Sequence, residues 1–385
     1  METKAGSTIG MAGSYNQNSD PQLAIINLMI PYIHLGIDEL DISPLSLIIA
    51  DFGSSHGKNS IEAMKIFINY LQKTNKLTAS PLVVHNDLPT NDWTTLFHLL
   101  ADDKSYQGVA NGYSFYEQCL PVNSLSIGFT ASSMHWLSKI PFNITNHCFH
   151  AYAEEHERQA YKHQAKLDFN SFIEHRSREL VSGGILVLSI PSFDDQGIES
   201  ISNYFDQLYI CAQSFFNEQE LLYLTVPIYL RSLSECLDYE LFDRCSLKLI
   251  KGELSRLKLP ILEHYHNGLL TFDQLIKIFT KVFQSTMEPL VMQILKKNGR
   301  SKEEIDQISS DFWMVYEEKL KEKPDSVVNR SSNHIYDLSD VILGDYASNE
   351  RENIRRVSNS LQHVLTDSML LTSMFINEVI KFEFI

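Results

Sequence analysis

An α/β protein built on a doubly wound, mostly parallel sheet is the fold the sequence predicts, and three observations predict it. Short runs rich in Ile, Val and Leu alternate with helical stretches through the first half of the chain. The first run ends at an acidic, glycine-bearing turn, Asp51-Phe52-Gly53, directly before a helical pattern. The second ends at Asn86-Asp87-Leu88-Pro89, where two acceptor side chains and a proline stop the strand.

Taken in order, SLIIA at Ser46 to Ala50 reads as a strand, followed by the turn DFGSSHG and the helix SIEAMKIFINYLQ. PLVVH at Pro81 to His85 is the next strand, with a helix from about Trp93. SLSIGFT at Ser124 to Thr130 and GGILVLSI at Gly183 to Ile190 follow, separated by a helical stretch from about Ala153 to Val181. Such sheets bind ligands beyond the carboxyl ends of their strands, so the segments after Ala50, His85 and Thr130 are where chemistry is expected.

Beyond Pro191 the pattern turns helical, with segments at Gln213 to Leu224 and Phe272 to Lys297 and one strand near Ser246 to Ile250. Residues 298–330 carry amphipathic helical spacing, and Lys323-Pro324-Asp325-Ser326 reads as a linker. The last sixty residues read as mostly polar helix ending in a strand-like Lys381 to Ile385. The expected division is a Rossmann-like core over 1–200, a helical lid with the remaining sheet-edge elements over 201–325, and a C-terminal extension over 326–385.

The formal net charge of -16 disfavours a phosphate backbone as partner, because nucleic-acid affinity rests on Lys and Arg. Five scattered cysteines with no C-x-x-C pair point to a reducing cytosol rather than a disulfide framework. No apolar run reaches the ~20 residues of a membrane helix, and the N-terminus lacks a signal-peptide stretch, so a cytoplasmic protein with no membrane partner is expected.

Metal and nucleophile readings fare poorly. His147 and His150 are three apart and His264 and His266 two apart, but no third ligand stands at a supporting spacing. His150, His156 and His163 read as the solvated face of a helix, interleaved with Glu154, Glu155 and Glu157. There is neither a G-x-S-x-G elbow nor a P-loop.

Asp51 and Asp87, at the ends of the first two strands, suit a nucleoside, and the missing G-x-G-x-x-G argues against a dinucleotide. Four stretches then carry a resemblance: GSYNQNSDPQ at Gly13 to Gln22, IADFGSSHGKNS at Ile49 to Ser60, NDLPTNDW at Asn86 to Trp93, and the pair GYSFYEQCLP and SSMHWLSKIP. Weaker similarity continues through VSGGILVL, VPIYLRSLSE and MEPLVMQIL. In order and spacing they resemble the SABATH family of salicylate, jasmonate and benzoate carboxyl methyltransferases.

The resemblance implies a class I methyltransferase fold, S-adenosyl-L-methionine as cofactor, and a homodimer. It implies that Tyr15, Ser19, Asp51, Gly53, Ser54, Asn59, Asp87, Leu88, Ser114 and Phe115 surround the cofactor. Asp87 would accept from the ribose hydroxyls, Phe115 would lie on the adenine face, and Asn59 would help hold the methionine end. Gln22 and Trp136 would position a substrate carboxylate, with Ser132, His135 and Phe283 completing the acceptor pocket. No general base is expected, because a carboxylic acid of pKa ~4 is already ionised at neutral pH.

Departures bear on the acceptor. Ser54 replaces a frequent cysteine, Ser7 a lysine of the salicylate-type enzymes, Ser132 an aromatic wall, His135 an apolar residue and Phe283 a frequent methionine. A magnesium-binding D-x-F-N segment of some members falls on Leu222-Tyr223-Leu224-Thr225, which lacks hard oxygen ligands, so no metal is expected there. Carboxyl O-methylation of a small acid is the function the resemblance implies. N-methylation of a small heterocycle and a catalytically inactive cofactor-binding interaction protein stay open beside it.

Overall fold

The structure, a computed structural model, describes residues 10–42, 47–193, 201–324 and 336–345. The expectations attached to Ser7, Ser46, Asp325-Ser326 and Lys381 to Ile385 lie outside the described residues.

Two helices, α1 (Asp20–Leu28) and α2 (Ile30–Glu39), precede strand β1 (Ile48–Phe52), helix α3 (Lys58–Lys73), β2 (Leu82–Asn86), α4 (Trp93–Asp102) and β3 (Gln107–Asn111). Then come β4 (Leu125–Ala131), the long α5 (Glu155–Glu179), β5 (Leu180–Ser192), α6 (Ser202–Phe215) and α7 (Glu218–Tyr223). The remaining elements are α8 (Leu233–Cys236), α9 (Tyr239–Arg244), β6 (Leu247–Leu257), α10 (Pro260–His266), α11 (Phe272–Lys297), α12 (Lys302–Lys321) and β7 (Tyr336–Asp345).

The seven strands form one sheet in the order β3-β2-β1-β4-β5-β7-β6, with β1 to β5 parallel and β7 antiparallel to both β5 and β6. The doubly wound α/β expectation holds. One apolar layer packs α2 and α3 on the sheet through Ile33, Ile37, Met64, Phe67 and Leu71, and α5 covers the opposite face through Phe169, Phe172 and Ile173. A third cluster lies among α6, α11 and α12, built on Phe205, Leu208, Phe279, Met287, Phe312 and Tyr316.

Several local expectations are corrected. β1 runs on through Asp51 and Phe52, so Asp51 is a strand residue paired with His85 and Phe129 rather than a turn residue. β3 was not expected, because QGVAN is a half-exposed edge strand with no apolar run. β6 extends well past Ile250. The helix expected over Gln213 to Leu224 is broken at Phe216-Asn217, where Asn217 and Glu220 form a capping box for α7.

The polar helix expected in the last sixty residues gives way to β7 at its described part. Leu338, Val341, Ile342 and Leu343 are buried there, and Asp337, Ser339 and Asp340 among them mask the strand in the sequence. His150 does not decorate a solvated helix: it is buried in a single turn before α5, against Tyr161 and Tyr229. Glu157 is likewise buried, closing the capping box of α5 with Glu154, while His156 and His163 are exposed.

Candidate active site

The strand order reverses between β1 and β4, and the crevice at their carboxyl ends opens there. Gly53 makes the approach possible. Its φ of 96° is left-handed, and a Cβ would stand 2.1 Å from the Ser133 hydroxyl. The amides of Gly53 and Ser54 both donate to Asn86 O at 2.9 Å, which locks the turn after β1 to the end of β2.

Asp87 is held from both sides by backbone. Ser55 N donates to its Oδ2 and Leu88 N to its Oδ1, each at 2.7 Å. The carboxylate is thereby aimed rather than consumed, since each oxygen keeps a further lone pair for a hydroxyl. Burial nonetheless raises its pKa, against the two amide bonds. Asp51, almost fully buried beneath, is pushed up to about 7 by burial and by Asp87, with the Ser60 hydroxyl opposing.

The loop carrying Ser114 and Phe115 is clamped from α5. Arg176, with no exposed surface, donates to Phe115 O and Glu117 O at 2.8 Å and to both oxygens of Glu179 at 2.7 and 2.8 Å. Glu179 in turn accepts the amides of Cys119 and Leu120. The guanidinium lies 4.2 Å from the Phe52 ring centroid, so the pair joins the end of β1 to this loop.

A third segment, after β4, carries Ser132 to Leu137 and is held by the stretch 226–231. Trp136 bridges Ile228, Tyr229 N donates to His135 O at 2.9 Å, and Leu137 N to Pro227 O at 2.7 Å. The buried Arg231 donates to Met134 O at 2.5 Å and to Ala165 O at 2.7 Å, and Tyr116 Oη to Trp136 O at 2.7 Å. The carbonyls of Met134, His135 and Trp136 thus each have a fixed donor.

Two cavities meet at this segment. One, of about 490 Å³, is lined by Tyr15, Gly53, Ser55, Asp87, Leu88, Ser114 and Phe115 and runs past Trp136 to Asp168. The other, of about 100 Å³, is lined by Gln22, Ser132, His135, Trp136 and Phe283, with apolar walls from Ile25, Phe205, Ile228 and Met287. Met11, Tyr15, Ser132 and Trp136 belong to both. Among the described residues lining the smaller cavity there is no Lys, Arg, Asp or Glu. Burial and the nearby Arg231 push His135 down to about 3, so its imidazole is neutral.

The structure therefore brings the whole expected acceptor set to one cavity. Of the expected cofactor residues, Ser19, Asp51, Ser54 and Asn59 are not among those lining the larger cavity; Asn59 Nδ2 donates to Ser19 O at 2.8 Å. The residues fit a nucleoside with hydroxyl and ammonium groups. The hydroxyls of Ser19, Ser54, Ser55 and Ser132, Asn59 Oδ1 and Gln22 Oε1 are buried without a hydrogen-bond partner among the described residues. Sequence reasoning missed Arg176, Glu179 and Arg231; the only signal was an arginine inside an apolar run, as in VPIYLRSLSE. Among the described residues no three His, Cys, Asp or Glu side chains gather as a metal site.

Comparisons with known proteins bear on the family and the fold. The family model described as SAM dependent carboxyl methyltransferase matches residues 8–335. Loganic acid O-methyltransferase of Catharanthus roseus is 32% identical over 198 residues, 46% of this chain and 53% of that protein. Farnesoic acid carboxyl-O-methyltransferase of Arabidopsis thaliana is 28% identical over 270 residues, 60% of this chain and 76% of that one. The chain spans about half the length of several curated relatives it matches. A solved loganic acid methyltransferase with SAH shares the fold, with a TM-score of 0.74 at 22% identity over 88% of this chain and 99% of that one.

Proposed function

Because the chain belongs to the family of S-adenosylmethionine-dependent carboxyl methyltransferases, we propose that it transfers a methyl group to a carboxylate oxygen of a small organic acid. The observation that carries this reading is the junction of the two cavities at Tyr15, Ser132 and Trp136, with Gln22 on the acceptor side.

In the larger cavity Asp87 would accept from the ribose hydroxyls and Phe115 would pack on the adenine, while Asp51 and Asn59 would serve the methionine end. S-adenosylmethionine supplies, when bound, an electrophilic methyl group on a sulfonium. Gln22 and the Trp136 indole N–H orient the substrate carboxylate, which is already ionised and needs no base. These donors are neutral, so they hold the oxygen without quenching its charge as an arginine would. Apolar walls from α1, α6 and α11 exclude water, which favours a transition state in which opposite charges cancel. Proximity supplies the main acceleration. The cavity of about 100 Å³ favours a compact acid with an apolar body, and neutral His135 offers a hydrogen bond to a further polar group on it.

The helices between 201 and 325 act as the lid in this reading, since Phe205 and Phe283 wall the acceptor. The expected homodimer follows the resemblance and the expected cytoplasmic location the scattered cysteines; light scattering and imaging of tagged protein test them.

Transfer of a labelled methyl group to a panel of aromatic, indolic and fatty acids tests the function. Product from at least one acid, with a raised acid KM and unchanged donor affinity in Gln22→Ala, is expected. No product from any of them overturns the reading for those classes. Full activity in Gln22→Ala on a ring nitrogen would favour N-methylation.

A further inference from the structure

Two arginines are sealed inside the protein, and only one of them has a partner charge. Arg176 and Arg231 are 0% and 1% exposed. Arg176 is paired with the equally buried Glu179. Arg231 donates instead to two backbone carbonyls, Met134 O and Ala165 O, and among the described residues it forms no ion pair. Two acids on neighbouring elements are engaged elsewhere: Glu235 on α8 by Lys162 and Ser232 N, and Asp168 on α5 by Ser138 and Gln164. A buried cation without a counter-charge is costly, because only a partner repays its desolvation.

The guanidinium stands directly behind the acceptor wall. The Met134 carbonyl that takes Nη1 at 2.5 Å belongs to the peptide that leads into His135, so the hydrogen bond and three covalent bonds laid end to end keep Nη1 within about 6.5 Å of the His135 Cα. Ser132, His135 and Trp136 wall the smaller cavity, and among its described lining residues there is no Lys, Arg, Asp or Glu.

We propose that Arg231 is a specificity-determining residue whose missing counter-charge is the substrate itself, so that it selects carboxylates over neutral molecules of the same shape. The inference rests on the reading that Gln22 and Trp136 hold a carboxylate in that cavity.

The surroundings give such a charge work to do. The chain carries a formal net charge of -16, and the larger cavity is lined by Asp87, Glu117 and Asp168 against a single lysine, Lys139, so an incoming anion meets a negative field. Arg231 opposes that field at the acceptor wall, and its charge is felt there: after burial, it is the second cause that pushes His135 down to about 3. Set back behind a peptide, it attracts the carboxylate without occupying the oxygen that must attack the methyl group. Arg231 also borders a cavity of about 590 Å³ between α5 and α9, but Glu235, Asp238 and Glu240 line that one and oppose an anion there.

The test is calorimetric titration of the full chain, saturated with S-adenosylhomocysteine so that no positive sulfur is present, with two matched pairs: benzoate with benzamide, and indole-3-acetate with indole-3-acetamide. The wild type should bind each carboxylate more tightly than its amide. Arg231→Met should cut that ratio about ten- to thirtyfold, the effect of one charge ~8–12 Å away at an effective dielectric of 20. Arg231→Lys, which keeps the charge, should hold most of the ratio. Tyr116→Phe, which removes the other donor to Met134 O but no charge, should weaken both members of a pair equally.

A wild type that binds neither carboxylate, or binds the amides as tightly, overturns the proposal even where Arg231→Met fails to fold. So does a ratio unmoved in Arg231→Met, or one that collapses equally in Arg231→Lys or Tyr116→Phe, since the effect is then structural. Gln22→Ala separates the two levels. Unchanged benzoate affinity in that variant overturns the placement of the carboxylate in the smaller cavity, whereas weakened affinity there with the ratio unmoved in Arg231→Met overturns the counter-charge alone.

Discussion

Replacing Arg176 with methionine keeps the length and much of the apolar packing of the side chain but removes every donor of its guanidinium. The structure sets the magnitude. Arg176 and Glu179 are both without exposed surface, so the substitution leaves a carboxylate buried beside aromatic rings without its cation, and leaves Phe115 O and Glu117 O without donors. Breaking a buried ion pair from one side costs about 3–5 kcal/mol. Glu179 keeps the amides of Cys119 and Leu120, which places the expected loss at the lower end, about 3 kcal/mol. Arg176→Met/Glu179→Gln should lose less than the sum of the single changes, by about 1–3 kcal/mol, because the uncompensated charge is gone. Urea unfolding at fixed slope measures both, and donor KM should rise more than kcat falls, since the clamped loop carries Phe115. An Arg176→Met protein within about 0.5 kcal/mol of wild type, or strict additivity in the double variant, would refute the reasoning.

Three further outcomes are expected. Asp340, buried on β7, is pushed up to about 6 by burial, so between the unfolded aspartate value and about 6 the folded chain binds the extra proton and stability falls as pH rises. Asp340→Asn should flatten that slope and add about 2–3 kcal/mol at pH above 7, read from chemical unfolding at a series of pH values. Gly53→Ala should cost more than about 1 kcal/mol and most of the donor affinity, given the left-handed φ and the Ser133 contact; a thermal shift with and without S-adenosylmethionine checks it. Tyr116→Phe removes the donor to the partly buried Trp136 O, while Met134 O keeps Arg231, and should cost about 1–3 kcal/mol while raising the acid KM more than the donor KM in steady-state kinetics.

What could be read from the chain depended on whether the signal was local. The strand ends at Asp51 and Asp87 announce themselves because an apolar run, an acid and a glycine or proline are contiguous, and Gln22, Ser132, His135, Trp136 and Phe283 came with the motif resemblance. β3 was hidden because an edge strand half in water needs no apolar run, although Asn111 on it accepts from and fixes Asn86. β7 was hidden for the opposite reason: it is buried, but Asp337, Ser339, Asp340 and Asp345 interrupt its apolar run and read as helix surface. Arg176 and Arg231 were illegible because a buried guanidinium is recognised by the carbonyls it reaches, and those lie about sixty or more positions away in sequence. His150 failed similarly, since the aromatic ring of Tyr229 that buries it comes from a distant segment.

The place of β7 between β5 and β6 has a consequence for synthesis. Both neighbours leave the ribosome well before it does, β5 by about 150 residues. Until residue 345 has emerged, two long strands each present an open edge, the geometry that recruits other chains. Each nascent molecule therefore passes through a stage in which all residues lining its larger cavity are made while the sheet is unfinished. Chaperone demand should track the time spent there, and a pause or truncation upstream of β7 should yield aggregates rather than a smaller folded product.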